Sequence, residues 1–295
     1  MKKGYINCNI WQNPATAFAT SDEYIIKVGT NQEIEELLCG DGAEIVDLKG
    51  MFVVPGFVDS HMHLAELGMY LSNVVLDDCH SNEEVIAKVK EKLATTKAGE
   101  WIFGRGYNEE SFKDHQKPTR KMLDEISTEV PIALTRACGH VLSANTAALK
   151  AAGITEHTKV EGGNIDYENG FVEENALNNI HNAYLQPDEE KIKEYIHIGA
   201  SYANKFGVTT VGSDDFLAVT HDYKPVLRAF ESLAFKQDMT VRVNEQCEFN
   251  NPKEFSKFLD DGYTFDVGDD YFRIGPLKLI TDGSLGARTA YMKNA

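Results

Sequence analysis

The segment Val58-Asp59-Ser60-His61-Met62-His63 places two imidazoles two residues apart in an apolar, strand-like stretch. Strand side chains alternate between faces, so His61 and His63 share one face, with their Cα atoms about 7 Å apart. Two neutral imidazoles so placed can share one divalent ion. The pair alone is a weak motif. With nine histidines in 295 residues, about 0.3 such pairs arise by chance, and two satisfied core histidines would look the same. The second candidate is Lys278, in the run Leu277-Lys278-Leu279-Ile280. A charged lysine is costly to bury there, so its pKa should fall and the neutral amine could take up carbon dioxide. The alternative is a lysine whose stem packs while its ammonium pairs with Asp282 or another carboxylate.

The elements that must position these residues fall into two styles. Residues 1–55 give short strand-like pieces (Gly4–Ile10, Glu23–Val28, Glu44–Leu48 and Met51–Val54) with one short helical stretch at Gln32–Leu38. This is a small β-domain, too short to close a core by itself. From Pro55 onward strands and helices alternate, as in an α/β fold with a parallel sheet. Strands are predicted at 56–63, 207–212, 240–245 and 274–281, with helices at Glu83–Thr96, Ile192–Phe206, Pro225–Phe235 and Pro252–Asp260. Pro131–Ala137 reads as a further strand. Residues 79–190 are longer than one crossover needs and are taken as an insertion over the mouth of the sheet. No internal repeat or low-complexity linker is present.

Composition removes several function classes. The net charge of −17, from 46 acids and 29 bases, argues against binding a phosphate backbone. The five cysteines, Cys8, Cys39, Cys79, Cys138 and Cys247, are scattered and form no CxxC pair, which suits a reducing compartment better than a disulfide framework. No apolar stretch after Met1-Lys-Lys-Gly is long enough for a signal peptide, and no segment approaches the roughly 20 apolar residues of a membrane span. The expected location is cytoplasmic, with neither nucleic acid nor membrane as a partner. Phe103-Gly-Arg-Gly-Tyr107 lacks the third glycine and the βαβ setting of a nucleotide loop, and no Gly-x-Ser-x-Gly elbow occurs.

The histidine pair gains specificity from its surroundings, Leu48-Lys-Gly-Met-Phe-Val-Val-Pro-Gly-Phe-Val-Asp-Ser-His-Met-His-Leu64. This run resembles the amidohydrolase superfamily, in which a β-domain hands over to the first barrel strand through Pro-Gly-Phe-x-Asp-x-His-x-His. Three further blocks resemble its YtcJ-like branch, amidohydrolase family 3. They are Glu100–Asn108 with Pro118–Asp124, Pro131–His140 with Asn145 and Ala148-Leu149, and Gly275–Ala290. One departure is Ser21-Asp22-Glu23, which stands where the family usually has an Asp-Gly turn.

The resemblance implies a metal-dependent α/β hydrolase built as a partial (β/α)8 TIM-type barrel over 56–295, with 1–55 as part of a composite β-sandwich domain. It implies one or two divalent ions, zinc first, bound by His61 and His63 and bridged by a carboxylated Lys278 on the fourth barrel strand. The expected reaction is hydrolysis of a non-peptide, amide-type C–N bond in a small molecule by metal-activated water. The same scaffold serves isomerases and phosphoester hydrolases, since fold does not fix reaction. Asp282 could orient a ligand and Arg288 could clasp a substrate carboxylate. His140 could reach over the metals as a hydrogen-bond donor to substrate. A structural role is an equal alternative for each of the three. His80, His115, His157, His181, His197 and His221 are read as surface or packing residues. The family's remaining ligand histidines and its aspartate base belong to later barrel strands, so this chain is expected to be a truncated, incomplete enzyme. The alternative is a non-catalytic product on the same fold; a homo-oligomer is compatible with either.

Overall fold

The structure, a computed structural model, describes residues 1–40, 42–184, 187–281 and 291. It divides into two units, Met1–Phe57 and Val58–Ala295. In the first, β1 (Lys2–Ile6), β3 (Ala17–Ser21), β4 (Tyr24–Gly29) and β5 (Glu44–Asp47) form a sheet in the order β4-β3-β1-β5, while β2 (Asn9–Ile10) pairs with β6 (Phe52–Val53). The β3–β4 turn uses Asp22 at φ +52°, a conformation short polar side chains tolerate, so an aspartate serves where a glycine is usual. Helix α1 (Asn31–Leu38) starts at a capping box: Thr30 accepts from the Glu33 main chain and Glu33 reaches back to the Thr30 N–H. It buries Ile34 and Leu38 against Ala17 and Ala19.

All but the first residue of β7 (Phe57–Met62) belongs to the second unit, and α2 (Leu64–Ser72) follows it. There follow β8 (Val74–Val75), α3 (Asn82–Leu93), β9 (Ile102–Tyr107), a 3-10 turn at Glu109–Ser111, α4 (Arg120–Asp124), β10 (Ile132–Arg136) and β11 (Val141–Ala144). Then come α5 (Thr146–Ala151), β12 (Gly163–Asp166), β13 (Phe171–Glu174) and α6 (Leu177–Ala183). These strands form a six-stranded sheet, β12-β13-β11-β10-β9-β8, parallel from β8 to β10 and antiparallel beyond. Its two faces carry separate cores. Along β10, Ile132 and Leu134 turn toward α3, while Ala133 turns toward α5 and α6.

The chain closes the unit with α7 (Glu189–Lys205), β14 (Val208–Ser213), α8 (Tyr223–Phe235), β15 (Arg242–Cys247), α9 (Pro252–Asp260) and β16 (Phe272–Leu277). Strands β7, β14, β15 and β16 lie side by side in that order. β14, β15 and β16 are parallel, and β7 runs with them, since Ser60 lies beside Gly212 and Met62 beside Asp214. Val211, Val243, Phe272 and Ile274 meet Ile192, Ile196, Val226 and Phe230 from α7 and α8 in the largest core. Helices α2 and α7 touch through Gly68 and Gly199. A Cβ on Gly68 would stand 1.8 Å from the Tyr195 carbonyl oxygen, and one on Gly199 would stand 2.2 Å from that of Leu64. The fourth strand is shorter than predicted. β16 stops at Leu277, just past Pro276, and Leu279 and Ile280 are exposed rather than buried.

Candidate metal centre

Four strand ends converge on one group of side chains. β7 ends in His61-Met62-His63, β14 is followed by Asp214, β15 carries Gln246 just before Cys247 and is followed by Glu248, and Lys278 follows β16. The C-terminal ends of parallel strands are where loops can present side chains without disturbing the ladder. The His61 and His63 rings stand with centroids 5.7 Å apart at 72°. The Asp59 side chain accepts the His61 N–H at 3.1 Å and so helps fix the backbone of this strand end.

Each imidazole is held by its Nδ1. That of His63 donates to the Asp214 main-chain carbonyl, which fixes the tautomer and leaves Nε2 with a free lone pair. That of His61 meets the Gln246 amide nitrogen at 3.1 Å. As placed, this amide donates to Nδ1 and leaves the proton on Nε2; turned over, it would accept from Nδ1–H and leave Nε2 bare. Rings bonded to one ion through Nε2 at 2.0–2.1 Å hold their centroids roughly 5–6 Å apart. The pair therefore fits a divalent ion as two of its ligands. Among the described residues no cluster of three or more His, Cys, Asp or Glu donors converges, whereas a catalytic zinc site takes three protein ligands.

Lys278 places its ammonium against the Asp214 carboxylate, with Glu248 at 4.0 Å. Asp214 is 2% exposed and the lysine side chain 25% exposed, so this is a largely buried pair, and a carboxylate other than Asp282 accompanies the lysine. The sequence reading singled out neither Asp214, Gln246 nor Glu248. The signal available was their position, an acid or amide immediately at or after the end of each parallel strand.

Beneath this group lies a buried polar layer. Asp215 Oδ1 accepts the N–H groups of Ala65 (2.9 Å) and Glu66 (3.2 Å) at the start of α2, and Oδ2 accepts the Ser213 hydroxyl at 2.6 Å. Ser213 Oγ in turn accepts the Leu64 N–H at 2.9 Å. Glu245 Oε1 accepts from Asp215 N (2.7 Å) and Phe216 N (3.1 Å). Burial first, and then the charge of Asp215, push the Glu245 carboxyl well above the usual carboxylate range; burial also raises Asp215.

His140 has a partner of its own. Its side chain is 68% exposed and bonds Glu174 at 3.1 Å, and among the described residues no hydrogen bond or ion pair joins it to the His61–Lys278 group. Asp282 and Arg288 lie outside the described residues. His157 and His197 pair with Glu156 and Asp238 at the surface.

A sequence model of the Amidohydrolase family matches residues 44–295. The chain belongs to the amidohydrolase family. Within and around the family, it is 30% identical to the protein LONG AFTER FAR-RED 3 of Arabidopsis thaliana over 94% of its length and 48% of that protein. It is 31% identical to the N-substituted formamide deformylase of Arthrobacter pascens over 67% of its length and 39% of that enzyme. The crystal structure of a metal-dependent hydrolase from Pyrococcus horikoshii superposes with a TM-score of 0.74 at 29% identity, over 98% of this chain and 56% of that one. The chain thus spans about half the length of the relatives it matches. Its fold is that of a metal-dependent hydrolase, and the family supports a hydrolase-type function. No helix among the described residues is long and apolar enough to cross a membrane.

Proposed function

We propose that this chain contributes the first half of a metal-dependent hydrolase that cleaves a non-peptide C–N bond of amide type in a small molecule. The carrying observation is the His61–His63 pair, with His63 already held by Nδ1 in the tautomer a metal ligand needs. The four parallel strands would be the opening strands of a (β/α)8 barrel, and the Met1–Phe57 unit part of a composite β-sandwich. His61 and His63 would hold a divalent ion, zinc being the first candidate. When bound, such an ion supplies Lewis-acid polarisation of the scissile carbonyl and acidifies a water molecule.

Lys278 would bridge as a carbamate, formed when its neutral amine takes up carbon dioxide and releases a proton. Asp214 and Glu248 already face this position, so a third anion there needs metal charge to balance it. Asp282, Arg288 and His140 are assigned to the substrate side, and the protein to the cytoplasm. The similarity to an N-substituted formamide deformylase makes N-substituted formamides the first substrates to try: water is consumed, the C–N bond breaks, and formate and an amine leave.

The test is hydrolysis of a panel of N-formyl and N-acyl amines by the whole gene product, before and after chelation. Loss on chelation, recovery with zinc and absence in His63→Ala are expected. Turnover indifferent to chelation, or no amine released from any amide, would sink the proposal.

A further inference from the structure

We infer that Glu245 is a positioning residue for His63, acting from β15, which β14 separates from β7, through the Ser213–Phe216 turn. Glu245 is fully buried, and its Oε1 accepts the main-chain N–H groups of Asp215 and Phe216 at 2.7 and 3.1 Å. That turn grips the chain on both sides of His63. Asp214 N–H donates to the Met62 carbonyl at 3.0 Å, Ser213 Oγ accepts the Leu64 N–H, and Asp215 Oδ1 accepts those of Ala65 and Glu66. The first N–H groups of α2, which a helix leaves without internal partners, are therefore taken by the turn rather than by a cap from their own strand. With the main chain pinned at 62, 64, 65 and 66, the Asp214 carbonyl is the acceptor the turn aims at His63 Nδ1.

The arrangement is costly. Glu245 Oε2 has no hydrogen-bond partner among the described residues, and a buried acid with half of its capacity unused destabilises the fold relative to an apolar side chain. Stability alone does not explain an acid there. A side chain that reaches two main-chain N–H groups from β15 and so fixes a carbonyl on His63 does explain it. The role follows from the acceptor oxygen alone, so an amide should serve as well as the acid. The inference deepens the metal reading, but only its last step, ligand strength, rests on that reading.

The experiment uses the whole gene product labelled with 15N-histidine, observed by long-range 1H–15N correlation about two pH units above the ordinary histidine pKa of about 6.5. Zinc affinity is measured by competition with a chromophoric chelator. Wild type and Glu245→Gln should both show His63 as the Nδ1–H tautomer and bind zinc equally. Glu245→Met, which keeps the length and drops the acceptor, should give a mixture of tautomers and bind zinc about 10–100-fold more weakly. Glu245→Leu is the second variant, judged the same way should the first not fold. A folded Met or Leu variant that kept the Nδ1–H tautomer, or a Gln variant as impaired as Met, would overturn the inference. If wild type bound no zinc while the tautomer still responded to Glu245→Met, the positioning role would stand and the metal reading would fall.

Discussion

Replacing Gly68 by alanine tests the packing that carries His63. An added Cβ would sit 1.8 Å from the Tyr195 carbonyl oxygen, against an ordinary C···O contact of about 3.3 Å, so α2 and α7 must part by roughly 1.5 Å. The obstructing atoms all belong to the Tyr195 main chain, and no rotamer change can relieve them. Overpacking of this kind costs about 3 kcal/mol at the upper end of the usual range. Alanine in place of glycine inside a helix returns about 1 kcal/mol, so the clash wins by about 2 kcal/mol. For a unit of this size that lowers Tm by roughly 4–8 °C. The separation also loosens contacts of Leu64, Ala65, Ile192 and Ile196, all buried in the core beside this crossing. Thermal unfolding followed by circular dichroism is the assay, and zinc affinity should fall with it because α2 begins one residue after His63. A Tm within about 1 °C of wild type would refute the reasoning.

Three other outcomes follow from the same structure. Lys278→Ala should abolish hydrolysis by the whole gene product, and short-chain carboxylic acids should restore part of it by occupying the bridging position; full activity in the variant without rescue would leave only the ion-pair role with Asp214. Glu245 has a folded pKa raised above its ordinary 4.5, by burial first and by Asp215 second, so its contribution to stability is complete below that value and is lost as pH rises through the folded pKa. In Glu245→Gln the loss disappears, and urea titrations should show its stability gaining on wild type above pH 4.5, by at most about 1.4 kcal/mol per pH unit; parallel curves would contradict this. The exposed Cys138 is opposed by desolvation, but the His140 N–H and the Arg136 guanidinium bring its pKa below the ordinary thiol value. It should alkylate well ahead of the buried Cys8, Cys79 and Cys247, whose thiols burial pushes up, as mass mapping after a brief iodoacetamide pulse would show.

The strands that bear the candidate site were the legible ones. The sequence predicts a strand at Gly207–Gly212, where β14 spans Val208–Ser213, and one at Thr240–Glu245, where β15 spans Arg242–Cys247. Apolar runs between helices of clear periodicity mark them in one dimension. The six-stranded sheet was mostly hidden. Gly163-Asn-Ile-Asp166 and Phe171-Val-Glu-Glu174 are four residues long and largely polar, so neither alternation nor an apolar run announces them, and only β10 was seen. Leu279 and Ile280 misled in the other direction, because an apolar run reads as buried whether or not anything covers it. Asp214, Asp215 and Glu245 were passed over for a related reason. Among 46 acids, nothing in composition separates a carboxylate that caps a buried turn from one on a solvated face; that distinction is made by which main-chain N–H groups the fold brings near it.

Zinc bound to the whole gene product, measured by mass spectrometry of the metal after equilibration and gel filtration in wild type, His61→Ala and His63→Ala, tests the histidine pair most directly. If the two imidazoles are ligands, wild type retains zinc and either substitution removes it, with the circular dichroism spectrum unchanged. Full zinc occupancy in both variants would contradict it.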